Sequence, residues 1–169
     1  RDKTNAGMMD CKKALKETNG DMEKAIDYLR EKGLSQAAKK SSRIAAEGLT
    51  TALISDCGKR GVVLEVNSET DFVAKNVEFQ NFVMDTAKII LDKNPADIEA
   101  LKTTTYLDGA KTVQDVLTDK ISTIGENMSI RRFDCIDVNE GAVVSYIHAG
   151  GKISVIIGLE SEGEKSALE

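Results

Sequence analysis

The run Val62-Val63-Leu64-Glu65-Val66, followed shortly by Thr70-Asp71-Phe72-Val73-Ala74-Lys75-Asn76, reads as a strand that turns into a helix. At that corner a carboxylate, Asp71, stands beside a large apolar ring, Phe72. Two readings are open. In one, Asp71 is a helix cap or first-turn acid favoured by the helix dipole, and Phe72 is a core ring beneath the sheet. In the other, both project outward. An unburied phenylalanine forgoes about 1.5–3 kcal/mol, and exposed apolar groups of that size mark recognition surfaces.

Working outward, residues 49–54 and 62–67 read as two strands around the glycine-containing turn at 56–61. Downstream, Phe79, Phe82, Val83, Thr86 and Ile90 keep helical spacing until Lys93, and Pro95 cannot continue that helix. Val113, Val116, Leu117, Ile121 and Ile124 predict another helix, stopped by Gly125. Residues 129–136, 142–148 and 152–159 are rich in Val, Ile and aromatic residues, with Asn139-Glu140-Gly141 and Gly150-Gly151 as turns. They predict a three-stranded antiparallel meander that lacks cover on one face. Segregated helices and strands make the class α+β.

Upstream, Met22, Ala25, Ile26 and Leu29 form one helical stripe, capped by Asp21 and ended by Gly33. A shorter helix over 10–18 turns Cys11, Ala14 and Leu15 inward, and Asn19-Gly20 joins the two. Two such helices make too little core, so the chain is expected to open inside a third, with residues 1–4 as its remnant. Met8 and Met9 fall in the turn before Asp10. They are either a polarizable surface for gripping a protein or a staple onto their own helix. Residues 35–47, rich in Ala, Lys and Ser, predict a partly helical linker, and the tail from Glu160 reads as polar and cut short.

The 169 residues carry 28 acidic and 23 basic side chains, a net charge of -5, well mixed along the chain. That argues against a nucleic-acid surface, which needs a clustered positive excess. No apolar run approaches the roughly 20 residues that cross a bilayer, and Arg1-Asp2-Lys3-Thr4 is not a signal peptide. The chain reads as soluble and cytoplasmic. Cys11, Cys57 and Cys135 have neither disulfide nor zinc spacing. With His148 as the one histidine, an enzyme reading rests on His148 with Asp134 or Asp137. No phosphate-cradling glycine loop occurs. The acidic pairs Glu160/Glu162 and Asp134/Asp137 read as solvated faces. No catalytic residue, metal or cofactor is expected.

Gly7-Met8-Met9-Asp10-Cys11-Lys12-Lys13-Ala14-Leu15, then Ala37-Ala38-Lys39-Lys40, then Thr70 to Asn76, then Ile124-Gly125-Glu126-Asn127 with Arg131-Arg132, together closely resemble the elongation factor Ts family. The likeness runs in order over nearly the whole chain. It implies a three-helix module similar to ubiquitin-associated domains at 1–34, the linker at 35–47, and an α+β core with subdomains at 48–126 and 127–169. It also implies a guanine-nucleotide exchange factor, without covalent chemistry, that binds elongation factor Tu and expels GDP. On that resemblance Asp71 and Phe72, flanked by Thr70 and Val73, disturb the partner's magnesium region. Met8 and Met9 grip a partner helix with Lys12 and Lys40 nearby, Ile124 and Gly125 extend that surface, and His148 makes a separate contact. Longer family members add a dimerisation insert, so a homodimer is expected only of the full-length protein. A competing reading is a ubiquitin-binding helical module, which shares the Met8-Met9 loop but not the Asp71-Phe72 segment.

Overall fold

The computed structural model describes Thr4, residues 6–107, Gly109 and residues 111–160. The helix remnant expected at 1–4 lies, apart from Thr4, outside the described residues, as does the tail beyond Glu160 with Glu162.

Alternating Val62, Leu64 and Val66 make β2 (Arg60–Ser68) the central strand of a three-stranded antiparallel sheet, with β1 (Glu47–Ile54) on one side and β3 (Met128–Asp137) on the other. Those three side chains are fully buried under α4 (Val77–Lys93), which presents Phe79, Phe82, Val83 and Ile90, and under α6 (Val113–Ile124), which adds Val113, Leu117 and Ile121. Asn76 starts α4, its side-chain oxygen accepting from the N–H groups of Glu78 and Phe79, and left-handed Asn94 ends it. A short helix α5 (Ile98–Thr103), which the sequence pattern did not announce, drops Leu101 into the same core.

Three expectations are corrected. The final strands do not form a meander, because β3 pairs along β2 while β4 (Gly141–His148) and β5 (Ile153–Glu160) form a separate two-stranded ribbon. Residues 127–137 therefore extend the sheet of the preceding segment. One ribbon face packs on that sheet at Gly61, where an added Cβ would lie 2.6 Å from Val143 Cγ1. The strands approach there because glycine has no side chain.

The second correction concerns Gly33. It does not end its helix, since α2 runs Met22–Lys40, with six residues of the expected linker stretch inside it. Gly33 is buried mid-helix against α6, where an added Cβ would meet Ser122 Cβ at an ordinary 4.0 Å. Third, α1 covers Met8–Glu17, so Met8 and Met9 open a helix rather than precede one. Asp21 caps α2 as expected, while Met22, assigned to the inward stripe, is exposed.

Candidate functional site

The Thr70–Asn76 corner is a one-turn helix, α3 (Asp71–Ala74), held at both ends. Val73 and Ala74 are buried in the core, so the helical rotation between neighbours turns Phe72 outward. Its ring is 79% exposed. Asn76 stops the turn and begins α4. On the other side, the Thr70 backbone N–H donates to Glu126 Oε2 at 3.0 Å, and its hydroxyl donates to Oε1 at 2.7 Å.

Asp71 is half-exposed, and the Lys75 ammonium donates to its Oδ2 at 2.7 Å from one turn away. That hydrogen bond, then the charge behind it, holds the Asp71 carboxyl below its ordinary value, with a smaller push from Lys152. Lys75 Nζ also stands 5.9 Å from the centre of the Phe72 ring. The corner therefore displays an ionised carboxylate and a free ring edge on a fixed base. Neither a buried core ring nor a side-chain cap describes this pair. Asp71 does occupy the first turn of α3, as the dipole favours.

Val73, expected to flank the pair, is 6% exposed and anchors α3 in the core. The Thr70 hydroxyl is engaged by Glu126, so Thr70 supports the display rather than forming its tip.

Ile124 and Gly125 close α6, with Gly125 in the left-handed conformation at φ 92°. They adjoin Glu126, and the structure thus brings them beside the Thr70 corner. Lys40, at the end of α2, donates from Nζ to the Ile121 carbonyl at 3.2 Å, which ties it to the same end of α6. Met8 and Met9 are exposed on the first turn of α1, at 70% and 72%, so the staple alternative does not hold; Lys12 lies one turn on and is also exposed. Between α1, α2 and α6 lies a cleft of about 430 Å³ in which Lys32 pairs with Asp10, Arg30 with Asp115 and Lys111 with Asp119.

His148 ends β4, its Nδ1 3.0 Å from the Tyr146 hydroxyl. The turn after it docks on β1, where Thr50 N–H donates to the Gly151 carbonyl at 2.7 Å and Lys152 pairs with Glu47. β1 also touches α3, so this turn and Asp71 share one end of the molecule. The acids of the enzyme reading are engaged elsewhere. Asp137 pairs with Arg60, and Asp134 accepts from the Cys135 N–H. Burial pushes the Cys135 thiol up despite the neighbouring Arg60, which keeps it protonated and a poor nucleophile.

Sequence reasoning missed Lys75, Glu69 and the role of Glu126. The uncovered face expected of the last strands is the outer face of the ribbon, where Val144, Tyr146, Ile153, Val155 and Ile157 are exposed together. No helix among the described residues is long and apolar enough to cross a membrane. Nor does any group of three or more His, Cys, Asp or Glu among them stand placed to hold a metal.

Comparison with known proteins brings these features under one family. The family model described as elongation factor TS matches residues 69–169, a span that begins at the Thr70 corner. Elongation factor Ts of Trichlorobacter lovleyi is 56% identical over 158 residues, covering 93% of this chain and 51% of the relative. The proteins of the same name from Parvibaculum lavamentivorans and Clostridium perfringens are each 53% identical, covering 99% of this chain and 55% of their own length. The chain thus spans about half the length of the curated relatives it matches. With the model matched over more than half of its residues, the chain belongs to the elongation factor Ts family.

Proposed function

We propose that this chain is a guanine-nucleotide exchange factor that binds elongation factor Tu in the cytoplasm and promotes GDP release during translation elongation. The observation that carries the reading is the Phe72 ring, exposed to 79% on a turn whose next two residues are buried. A ring on a mobile loop would yield on contact. A ring on an anchored turn transmits force to what it meets.

Magnesium bridges nucleotide phosphates and demands near-ideal octahedral geometry, so small shifts of its supports weaken it. Phe72 wedges between those supports, and the ionised Asp71 carboxylate acts beside it on the largest local charge of the nucleotide site. Met8, Met9 and Lys12 form a second grip through α1, and Ile124, Gly125, Lys40 and His148 enlarge the contact. Helices α1 and α2 belong, on this reading, to a module like ubiquitin-associated domains. Exchange needs no covalent step. It is a coupling free energy, so the factor loosens GDP and GDP loosens the factor by the same ratio.

The test is direct. Elongation factor Tu loaded with fluorescent GDP is mixed with substoichiometric chain and excess unlabelled GDP. Release that accelerates with several turnovers per chain supports the reading, and release at the spontaneous rate refutes it.

A further inference from the structure

Two carboxylates cross between the segments on either side of the candidate site. Glu126, adjoining Ile124 and Gly125, accepts from the N–H and hydroxyl of Thr70 at 3.0 and 2.7 Å. Glu69, adjoining Thr70, accepts in return from the backbone N–H of Asn127 and lies 3.5 Å from Arg43. The Asn127 side-chain amide then donates to the Arg43 carbonyl at 2.7 Å, which draws in the chain after α2. Hydrogen bonds to ionised acceptors are shorter and roughly twice as strong as neutral ones. Thr70 occupies the N-cap position of α3, yet its side chain makes no cap there. Its hydroxyl points to Glu126 instead.

A four-residue helix has little of its own to fix its direction. We propose that Glu126 is a positioning residue: its carboxylate, clasped on Thr70, fixes the pose of Asp71 and Phe72 against Ile124 and Gly125, so that both segments meet the partner as one rigid surface. This rests on the exchange reading above. Displacements of about 1 Å in a supporting shell are enough to degrade a site of this kind. The clasp adds to the core beneath Val73 and to the bond from the buried Ser68 hydroxyl to the Thr70 carbonyl at 3.0 Å, and it ties the turn to the segment after α6.

The experiment measures fluorescent-GDP release from elongation factor Tu across a titration of the chain, for the parent, Phe72→Ala, Glu126→Ala, Glu126→Gln and the Glu126→Ala/Phe72→Ala double variant. Glu126→Ala is expected to lower the maximal rate about tenfold with little change in half-saturation. Glu126→Gln, whose amide oxygen still accepts from the Thr70 N–H, is expected to stay within about threefold of the parent. In the Phe72→Ala background the added Glu126→Ala is expected to slow release by much less than its roughly tenfold effect in the parent, because only Asp71 is left to aim. Hydrogen exchange at the Thr70 amide should rise at least about tenfold in Glu126→Ala.

Glu126→Ala at the parent rate beside a slow Phe72→Ala overturns the clasp and leaves the exchange reading standing. Losses that multiply in the double variant also overturn it. Phe72→Ala at the parent rate overturns the exchange reading itself, and this proposal with it. Should Glu126→Ala fail to fold, Thr70→Val takes its place, losing the hydroxyl donor but keeping the N–H. A maximal rate about threefold lower supports the clasp, and an unchanged rate overturns it.

Discussion

The Lys75 ammonium lies 2.7 Å from the Asp71 carboxylate while standing 5.9 Å from the centre of the Phe72 ring. One cation therefore lowers the acid's pKa and stands near the ring, on the side of the turn that faces solvent. Its own side chain is largely exposed, so it can swing away when another group takes its place.

Replacing Lys75 by Met removes both the hydrogen bond and the charge that hold the Asp71 carboxyl down. The carboxyl is expected to rise toward the ordinary aspartate value. A carboxyl with a lowered folded value favours the folded state above the unfolded value and loses that preference as pH falls through the folded one. Here the groups are exposed, so the variant should leave Tm within about 2 °C of the parent. A carbon-detected NMR titration of the Asp71 side chain checks this, and an unmoved midpoint contradicts it.

Adjacent residues should behave as opposites. Val73→Ala removes buried methyls and is expected to destabilise by about 1.5–3 kcal/mol. Phe72→Ala removes a much larger but exposed group and should change stability by less than about 0.5 kcal/mol. Urea denaturation of the two variants decides it, and a Phe72 loss equal to that of Val73 would mean the ring packs on its own chain.

Gly125 has open space around its Cα, yet its φ is 92°. Gly125→Ala meets no clash and should still cost about 1–2 kcal/mol from the backbone alone. Gly125→Asn, which tolerates the left-handed region better, should recover part of that loss. Equal stability for alanine and glycine in thermal melts would contradict the helix ending described here.

Thr112 caps α6, and Asp115 returns the bond to the Thr112 N–H. Burial works to raise the Asp115 carboxyl, but the Thr112 N–H and hydroxyl and the Arg30 charge outweigh it and leave it lowered. Thr112→Ala should cost about 1 kcal/mol at pH 7. The share due to ionised Asp115 is present above about pH 4 and lost as pH falls through the lowered folded value. Urea curves at pH 7 and pH 3 should therefore lie closer together for parent and variant at the lower pH. A gap that widens instead contradicts the assignment.

The parts of the fold that the sequence made legible are those governed by periodicity. Val62, Leu64 and Val66 alternate because one face is buried, and Phe79 to Ile90 recur at helical spacing for the same reason. Asn19-Gly20 and Gly125 read correctly because their conformations are local. Gly33 misled because a glycine that ends a helix and one buried within a helix against its neighbour look alike in sequence. Only the continuation of α2 to Lys40 distinguishes them.

Strand pairing was likewise hidden. Alternation announces that β3 is a strand, not that its partner is β2 or that the ribbon crosses over Gly61. At the site, Phe72 and Asp71 were legible as an exceptional pair, whereas the burial of Val73 beneath them had no separate signal in the sequence. Glu126 carried no pattern of its own. Its meaning lies in a bond to Thr70 across 56 positions of sequence.

The central claim is that Phe72 acts on the partner and not on its own chain. The most direct measurement is the maximal rate of fluorescent-GDP release from elongation factor Tu with Phe72→Ala, taken beside its melting temperature. The account predicts a rate lower by about tenfold or more, equivalent to at least about 1.4 kcal/mol of lost coupling, with Tm unchanged within about 2 °C. A variant that folds normally and releases GDP as fast as the parent would contradict it.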